Sequence, residues 1–152
     1  MRKPRLRRLE WLYTDNPIYF VTACTSVRAR VLNNERAHGV FRRFCKKAVP
    51  RGVWVGRYVL MPDHIHLFVG IASEGPSLSD WMKALKRTLS SALIDSSGIY
   101  VSWQKGFFDH VLRSGESYAK KWEYVRLNPV RAGLVSCAEQ WPYQGEINPL
   151  TF

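Results

Sequence analysis

The pattern of hydrophobic and polar positions predicts strands that alternate with helices along the chain. Residues 18–25 form a run of β-branched and aromatic residues, Ile-Tyr-Phe-Val-Thr-Ala-Cys-Thr, which is typical of a strand. Asn33 or Asn34 then precedes a stretch whose apolar residues recur at helical spacing until Pro50 and Gly52. This part of the chain therefore predicts a strand followed by a capped helix.

A β-hairpin and a second helix are predicted next. Residues 53–60 and 64–71 are rich in strand-forming residues, and Met-Pro-Asp at 61–63 favours a tight connection between them. Residues 78–94 then keep leucines and a tryptophan on one side of a helix.

The remaining pattern predicts one more helix. Residues 101–104 and 107–112 are expected to be extended or irregular. Ser114 or Ser117 can cap a helix that reaches toward Leu127, where an Asn-Pro pair ends it. The order strand, helix, strand, strand, helix, helix indicates an α+β fold in which helices pack against an antiparallel sheet.

Length and charge add a domain count and a partner. The 152 residues fit a single domain, with a basic arm at about residues 1–10 and an irregular tail at about 138–152. The net charge of +11 favours a polyanionic partner, and nucleic acid is the expected one. We expect no membrane partner, because no apolar run approaches the length that spans a bilayer.

The cysteines bear on the cellular location. Cys24, Cys45 and Cys137 are odd in number and widely spaced, so they indicate neither a disulfide framework nor a cysteine zinc cluster. Each is expected to be an ordinary buried cysteine. A reducing cytoplasm, with the protein associated with the nucleoid, is the expected location.

Two histidines open the second strand of the hairpin. His64 and His66 flank Ile65, and because side chains alternate across a strand, both imidazoles should face one side. Ile65, Phe68 or their neighbours should face the other. Two imidazole nitrogens aimed at one point can hold a divalent metal ion. Paired histidines also occur as plain polar-face residues, so a second motif is needed.

Tyr124 and Asn128 provide that second motif. They stand four residues apart on the last predicted helix and so share a face. A phenol can supply the attacking oxygen for phosphoryl transfer at a metal ion, and the amide oxygen of Asn128 is a candidate third ligand. The alternatives are a partly buried aromatic residue for Tyr124 and a helix terminator before proline for Asn128. The pattern does not identify a general base.

Together the two motifs resemble those of a known family. Met-Pro-Asp-His-Ile-His at 61–66 and Tyr-Val-Arg-Leu-Asn-Pro-Val-Arg-Ala-Gly-Leu-Val at 124–135 are similar to motifs of the REP-associated tyrosine transposases, a branch of the single-tyrosine HUH transposases. The strand near 19–22, Trp-Gln at 103–104 and Phe-Asp-His at 108–110 also follow the family's order. The resemblance covers most of the chain apart from its extreme ends.

The resemblance implies a ferredoxin-like core with the histidine pair on the central sheet and the tyrosine helix laid across it. It implies that Tyr124 attacks a DNA phosphodiester, leaving a 5′-phosphotyrosine and a free 3′-hydroxyl, while His64 and His66 bind Mg2+ or Mn2+. The insertion-sequence branch has a glutamine one helical turn after its tyrosine as third ligand, where this chain has the shorter Asn128. The implied function is that of a transposase, a single-stranded DNA endonuclease and strand transferase.

The resemblance also implies the substrate, which is a hairpin formed by a palindromic repeat with flanking single-stranded DNA. Positively charged residues in two groups are candidates for phosphate contacts. The first group is Arg2, Lys3, Arg5, Arg7 and Arg8, and the second is Lys83, Lys86 and Arg87. Each is alternatively a solvated surface charge. A monomer and a homodimer are both compatible with the sequence.

Two other functions are compatible with these residues. One is a nucleic-acid-binding module of the same fold without catalytic activity, against which the presence of Tyr124, His64 and His66 argues. The other is a metal-dependent nuclease in which the histidines activate water and Tyr124 only orients the substrate. A covalent adduct between protein and DNA distinguishes the two enzymes.

Overall fold

The computed structural model describes residues 18–94, 98 and 100–150. Five strands form one sheet in the order β4-β1-β3-β2-β5, in which every neighbouring pair is antiparallel. The strands are β1 (Ile18–Cys24), β2 (Val53–Leu60), β3 (His64–Ile71), β4 (Phe108–Leu112) and β5 (Gln144–Glu146). The strand that bears both histidines is therefore the central one, and the predicted α+β fold with an antiparallel sheet is confirmed.

Helices flank this sheet, and polar side chains cap three of them. The helices are α1 (Glu35–Lys46), α2 (Leu78–Ala92), α3 (Gly115–Val125) and α4 (Asn128–Arg131). The side chains of Asn34, Ser77 and Ser114 each accept a hydrogen bond from a backbone N–H in the first turn of α1, α2 and α3, respectively. The cap predicted at Asn33 or Asn34 is thus Asn34, and the one predicted at Ser114 or Ser117 is Ser114.

The two faces of the sheet pack against different helices. Ile65 and Leu67 of β3 belong to a buried cluster with residues of α1 and α2. Phe68 belongs to a second cluster with Tyr118 and Val125 of α3. Consequently α1 and α2 cover one face of the sheet, and α3 lies on the other.

Phe68 corrects one detail of the strand prediction. Ile65 faces away from the histidines as predicted. Phe68 lies on their side, because it follows His64 by four positions and His66 by two, and side chains two positions apart on a strand share a face. The Phe20 ring stacks on His66 at 5.4 Å between centroids and contacts Phe68 at 5.0 Å. The histidines therefore face α3 beside an aromatic cluster.

A bulge in β2 fixes α3 on this face. The register of β2 against β3 shifts between Val55 and Tyr58, and Gly56 lies in the bulge. A Cβ at Gly56 would lie 2.6 Å from the Tyr118 hydroxyl, so only glycine permits this close approach of α3. The Tyr118 hydroxyl accepts a hydrogen bond of 3.1 Å from the backbone N–H of Arg57.

The chain around Tyr124 differs from the single helix that was predicted. α3 ends at Val125, and Asn128–Arg131 forms a separate short helix instead of a stop. Pro129 lacks the N–H that would otherwise bond to the carbonyl of Val125, so one continuous helix cannot form.

The C-terminal tail and one cysteine differ from the sequence-based expectations. The tail at 138–152 was expected to be irregular, yet Gln144–Glu146 pairs with β2 as an edge strand, and the Trp141 indole donates to the Leu60 carbonyl at 3.0 Å. Cys24 and Cys45 are buried, whereas Cys137 is exposed, contrary to expectation. Over the described residues, no helix has the length and apolar character needed to cross a membrane.

Candidate active site

The two histidines lie side by side on the face of the sheet that α3 partly covers. Their ring centroids are 4.7 Å apart. His64 pairs with Cys24 across the sheet and His66 pairs with Thr22, so β1 supplies the neighbours of both rings.

Asp63 orients the ring of His64. Its Oδ1 atom lies 2.7 Å from His64 Nδ1, and its Oδ2 accepts a hydrogen bond of 2.8 Å from Arg28 Nε. Burial raises the pKa of Asp63, but the hydrogen bonds from Arg28 and His64 outweigh burial and lower its pKa overall. Because Asp63 is then a carboxylate, His64 carries its proton on Nδ1, and Nε2 keeps a lone pair.

Thr22 plays the corresponding part for His66. The Thr22 hydroxyl lies 2.8 Å from His66 Nδ1, while Phe20 stacks on the same ring. A threonine hydroxyl can accept the Nδ1 proton, and in that tautomer Nε2 of His66 also presents a lone pair. In the described part of the chain, neither histidine Nε2 atom has a hydrogen-bond partner.

Both histidines are neutral at physiological pH. Burial, followed by electrostatic interaction with His64, Lys121 and Arg131, lowers the pKa of His66 to about 3. Burial also lowers the pKa of His64, against the opposing effect of Asp63. Neutral imidazole is the form that binds a metal ion.

The donor set fits a divalent metal ion. Metal-binding histidines usually donate the proton of the other ring nitrogen to a carboxylate or another oxygen, as His64 does here. Among the described residues no cluster of three or more His, Cys, Asp or Glu side chains could hold a metal. The histidine pair would therefore need an amide, water or substrate oxygen to complete its coordination.

Tyr124 lies in the last turn of α3 with its ring largely in solvent, 62% exposed. The guanidinium carbon of Arg131 lies 4.0 Å from the centroid of that ring. Arg131 also donates to the Tyr124 carbonyl at 2.6 Å and to the Asn128 side-chain oxygen at 3.0 Å. Tyr124 and Asn128 are thus brought together through Arg131, and the predicted ligand oxygen of Asn128 is already hydrogen-bonded.

Two cations, Lys121 and Arg131, act electrostatically on His66. Arg131 and Lys121 both contribute to the lowered pKa of His66, which indicates that their charges are close to this ring. Lys121 Nζ lies 4.8 Å from the centroid of Phe20, the ring that stacks on His66. The arrangement of a phenol, two neutral imidazoles and two cations suits a phosphodiester.

Sequence reasoning missed Lys121 and Arg131. The chain has 23 lysines and arginines, and spacing alone does not distinguish these two from the others. Two signals were available for Arg131: it lies in the motif at 124–135, and it follows Asn128 by three residues, which puts both on one side of a helical turn.

Of the predicted phosphate contacts, the structure describes only Lys83, Lys86 and Arg87. Arg2, Lys3, Arg5, Arg7 and Arg8 fall outside the described residues. The exposed Lys83 and Arg87 belong to α2, which packs on the sheet face opposite the histidines. Lys86 Nζ donates to the backbone carbonyls of Gln104 and Gly106, so its ammonium is already engaged.

Comparison with known proteins identifies the family of the chain. The sequence model of the family described as "Transposase IS200 like" matches residues 14–126, a span that includes both histidines and Tyr124. The REP-associated tyrosine transposase of Escherichia coli K12 is 25% identical over 89 residues, 59% of this chain and 52% of the relative. A Haemophilus influenzae relative that provisionally bears the same name is 28% identical over 97 residues, 55% of this chain and 53% of the relative.

The fold has a counterpart among solved structures. A REP-associated tyrosine transposase bound to a REP hairpin superimposes with a TM-score of 0.69 at 22% identity, covering 87% of this chain and 78% of that one. The chain spans about half the length of the two curated relatives that it matches. Because the family model covers most of its residues, the chain belongs to the IS200-like transposase family.

Proposed function

We propose that the protein nicks and rejoins single-stranded DNA through a covalent bond between the Tyr124 hydroxyl and a 5′-phosphate. The observation that carries the proposal is the position of Arg131, which stacks on the exposed Tyr124 ring while its charge lowers the pKa of His66. Arg131 thus links the Tyr124 ring to the histidines electrostatically, which supports a site in which the phenol, the guanidinium and the imidazoles act on one phosphate.

In the proposed reaction, the Tyr124 oxygen forms a bond to phosphorus. The bond from phosphorus to the 3′-oxygen of the preceding nucleotide breaks, and this oxygen takes the electron pair and a proton. The phenol loses its proton to water, and the products are a 5′-phosphotyrosine and a free 3′-hydroxyl. Attack by a 3′-hydroxyl on the same phosphorus reverses these steps and joins the strands.

Each neighbouring residue has a role in this proposal. A divalent ion, Mg2+ or Mn2+, bound by His64 and His66 would polarise the phosphate and stabilise the charge that develops on it. Asp63 orients the His64 ring, and Arg131 and Lys121 attract the phosphate. The Asn128 oxygen accepts one hydrogen bond from Arg131 and keeps a second lone pair, with which it could act as a third ligand.

The proposed substrate is a hairpin with an adjoining single strand. The net charge of +11 supports a nucleic-acid partner, and the structural neighbour is bound to a REP hairpin. The basic residues of the N-terminal arm and the exposed Lys83 and Arg87 remain proposed contacts to the DNA backbone outside the catalytic site.

A covalent-trapping experiment tests the proposal. The protein is incubated with a labelled hairpin oligonucleotide that carries a 5′ overhang, in buffer with Mn2+ or Mg2+, and is resolved on a denaturing gel. We expect a shifted protein–DNA band that is lost in Tyr124→Phe and in His64→Ala. Tyr100→Phe is the matched control, because Tyr100 is also exposed and belongs to no part of the site.

Three results would contradict the proposal. An adduct that persists in Tyr124→Phe would mean that another residue attacks the phosphate. Metal-dependent cutting with no adduct at any time would favour a nuclease in which the histidines activate water, and binding with no cutting would favour a module without catalytic activity.

A further inference from the structure

We infer that β4 and the loop before it form a seat for one unpaired nucleobase beside the histidines, with the Phe108 ring as its stacking platform. The inference rests on the proposed function, since it assigns a position to the DNA next to the reacting phosphate. The inferred base-binding site lies beside the candidate active site and is separate from the two histidines and Tyr124.

The strand register brings Phe108 to the histidine face. His66 pairs with Thr22 across β3 and β1, and Thr22 pairs with Phe108 across β1 and β4. Residues directly opposite each other on antiparallel strands share a face of the sheet, so the three side chains form one row. Two strand spacings put Phe108 about 10 Å from His66, within reach of a nucleotide whose phosphate lies at the histidines.

The Phe108 side chain is left in solvent. It is 73% exposed on β4, which is the edge strand next to β1. A single exposed aromatic ring is ordinary by itself, so its meaning depends on what adjoins it.

A cavity of about 170 Å³ adjoins this ring. Thr22 and Cys24 of β1 line one part of it, and residues 104–108 line the rest. Pockets for drug-sized ligands are roughly 300–1,000 Å³, so this one suits a single ring system. The exposed Lys105 belongs to its lining, where its charge can attract the phosphate attached to a bound base.

The wall of the cavity is fixed by hydrogen bonds although it is a loop. Lys86 Nζ donates to the carbonyls of Gln104 and Gly106, and the Trp103 indole donates to Ser90 Oγ at 3.0 Å. Gly106 has a φ of +73°, a backbone conformation that glycine adopts without strain. Lys86 is therefore a positioning residue for this wall, and a preformed wall lowers the entropy cost of binding.

A nucleobase matches these features better than a second protein chain does. Aromatic side chains stack on any base through its π-face, and basic residues beside them follow the phosphates of single-stranded DNA. A second copy of the chain pairing along the β4 edge is the alternative that would cover Phe108.

Fluorescence of a base analogue tests the inference without requiring cleavage. Hairpin oligonucleotides with a 5′ overhang carry 2-aminopurine at each unpaired position in turn, in buffer without divalent metal. We expect quenching at one position on binding, and loss of that quenching in Phe108→Ala. Affinity for the overhang substrate should fall about 5- to 150-fold, while affinity for a blunt hairpin stays unchanged.

Two further substitutions of Phe108 distinguish base stacking from apolar volume. Phe108→Trp should restore both quenching and affinity, whereas Phe108→Leu keeps apolar volume but lacks a π-face and should behave like the alanine variant. Tyr100→Ala is the matched control, since this other exposed aromatic residue lies outside the row.

The inference would be overturned by unchanged quenching in Phe108→Ala, or by equal losses for the blunt and overhang substrates. It would also be overturned if sedimentation showed that Phe108→Ala only converts a dimer to a monomer. Because no outcome depends on cleavage, failure here is distinguishable from failure of the phosphotyrosine mechanism, which the covalent adduct reports.

Discussion

At the scale of single residues, neighbouring side chains hold the two histidines in a form that fits the proposed metal ion. Asp63 and Thr22 engage the two Nδ1 atoms, and burial keeps both rings neutral. Arg28 reaches Asp63 from a left-handed backbone conformation with φ of 52°. Non-glycine residues adopt this conformation at an energy cost, so the contact with Asp63 helps to offset it.

Arg131 offers the sharpest test at this scale. We expect Arg131→Ala to slow adduct formation by about 100-fold, because the phosphate loses one charged donor and Tyr124 loses its stacked partner. Arg131→Lys should recover only part of the rate, since an ammonium cannot stack and donate to two oxygens as a guanidinium does. The rate is measured by quenched gel assays at saturating DNA.

Arg126→Ala is the control for that experiment. Arg126 also follows α3, but it pairs with Glu123 and Glu139 on the surface. Its replacement should leave the rate of adduct formation unchanged. Wild-type rates in Arg131→Ala would exclude the proposed role of this residue.

At the scale of elements, the position of α3 decides where Tyr124 lies. The Tyr118 side chain is buried under α3, and its hydroxyl binds the bulge of β2 at the Arg57 N–H. Trp122 lies on the same helix with the Arg57 guanidinium 5.3 Å from its ring centroid. These contacts fix the helix that carries Tyr124, the proposed nucleophile, in its last turn.

The pH dependence of stability tests this docking. Burial raises the pKa of Tyr118 to about 12 from an ordinary value of 10.0. A raised pKa means that the folded state favours the neutral hydroxyl. The contribution of Tyr118 to the free energy of unfolding is therefore fully present below pH 10, and it falls by roughly 2 kcal/mol at most as the pH rises from 10 toward 12. Tyr118→Phe should therefore be less stable than wild type at pH 8, and the difference should shrink by pH 11.

Chemical denaturation at both pH values measures the difference. The other tyrosines and the lysines titrate in both proteins, so the comparison isolates Tyr118. An equal difference in the free energy of unfolding at pH 8 and pH 11 would show that this hydroxyl does not titrate with folding.

The elements also show how much of the fold could be predicted from the sequence. The bounds of β2 and β3 agree with prediction because their apolar runs end at turn residues, and the Asn34 cap marks the start of α1. β5 could not be predicted, since Gln144–Glu146 has no strand pattern and pairs only because the edge of β2 is available. Likewise, Arg131 and Phe108 lie in segments that resemble the family's, but no local pattern marks either residue as part of the site, because only tertiary contacts bring them near the histidines.

At the scale of the whole molecule, charge governs DNA affinity. The net charge of +11 predicts binding that weakens steeply with salt, because each phosphate contact releases counterions. The site itself uses only a few of these charges. The remainder, including the N-terminal basic residues, should act on the DNA backbone without regard to sequence.

Replacement of the basic residues of the N-terminal arm tests whether these charges act on the DNA backbone and not on the reaction. Replacing Arg2, Lys3, Arg5, Arg7 and Arg8 with serine should lower the slope of log affinity against log salt concentration by up to about four. The rate of adduct formation at saturating DNA should stay near wild type, because the proposed role of these residues is to bind the DNA backbone and not to act on the reacting phosphate. Fluorescence anisotropy between low and moderate salt gives the slope, and an unchanged slope would mean that the arm does not contact DNA.

Mass spectrometry of the trapped complex tests the central claim most directly. After reaction with the overhang hairpin and nuclease digestion, the peptide that contains Tyr124 should carry a residual phosphonucleotide on its phenolic oxygen. Cleaved DNA bearing a free 5′-phosphate, together with an unmodified Tyr124 peptide throughout the reaction, would contradict the account.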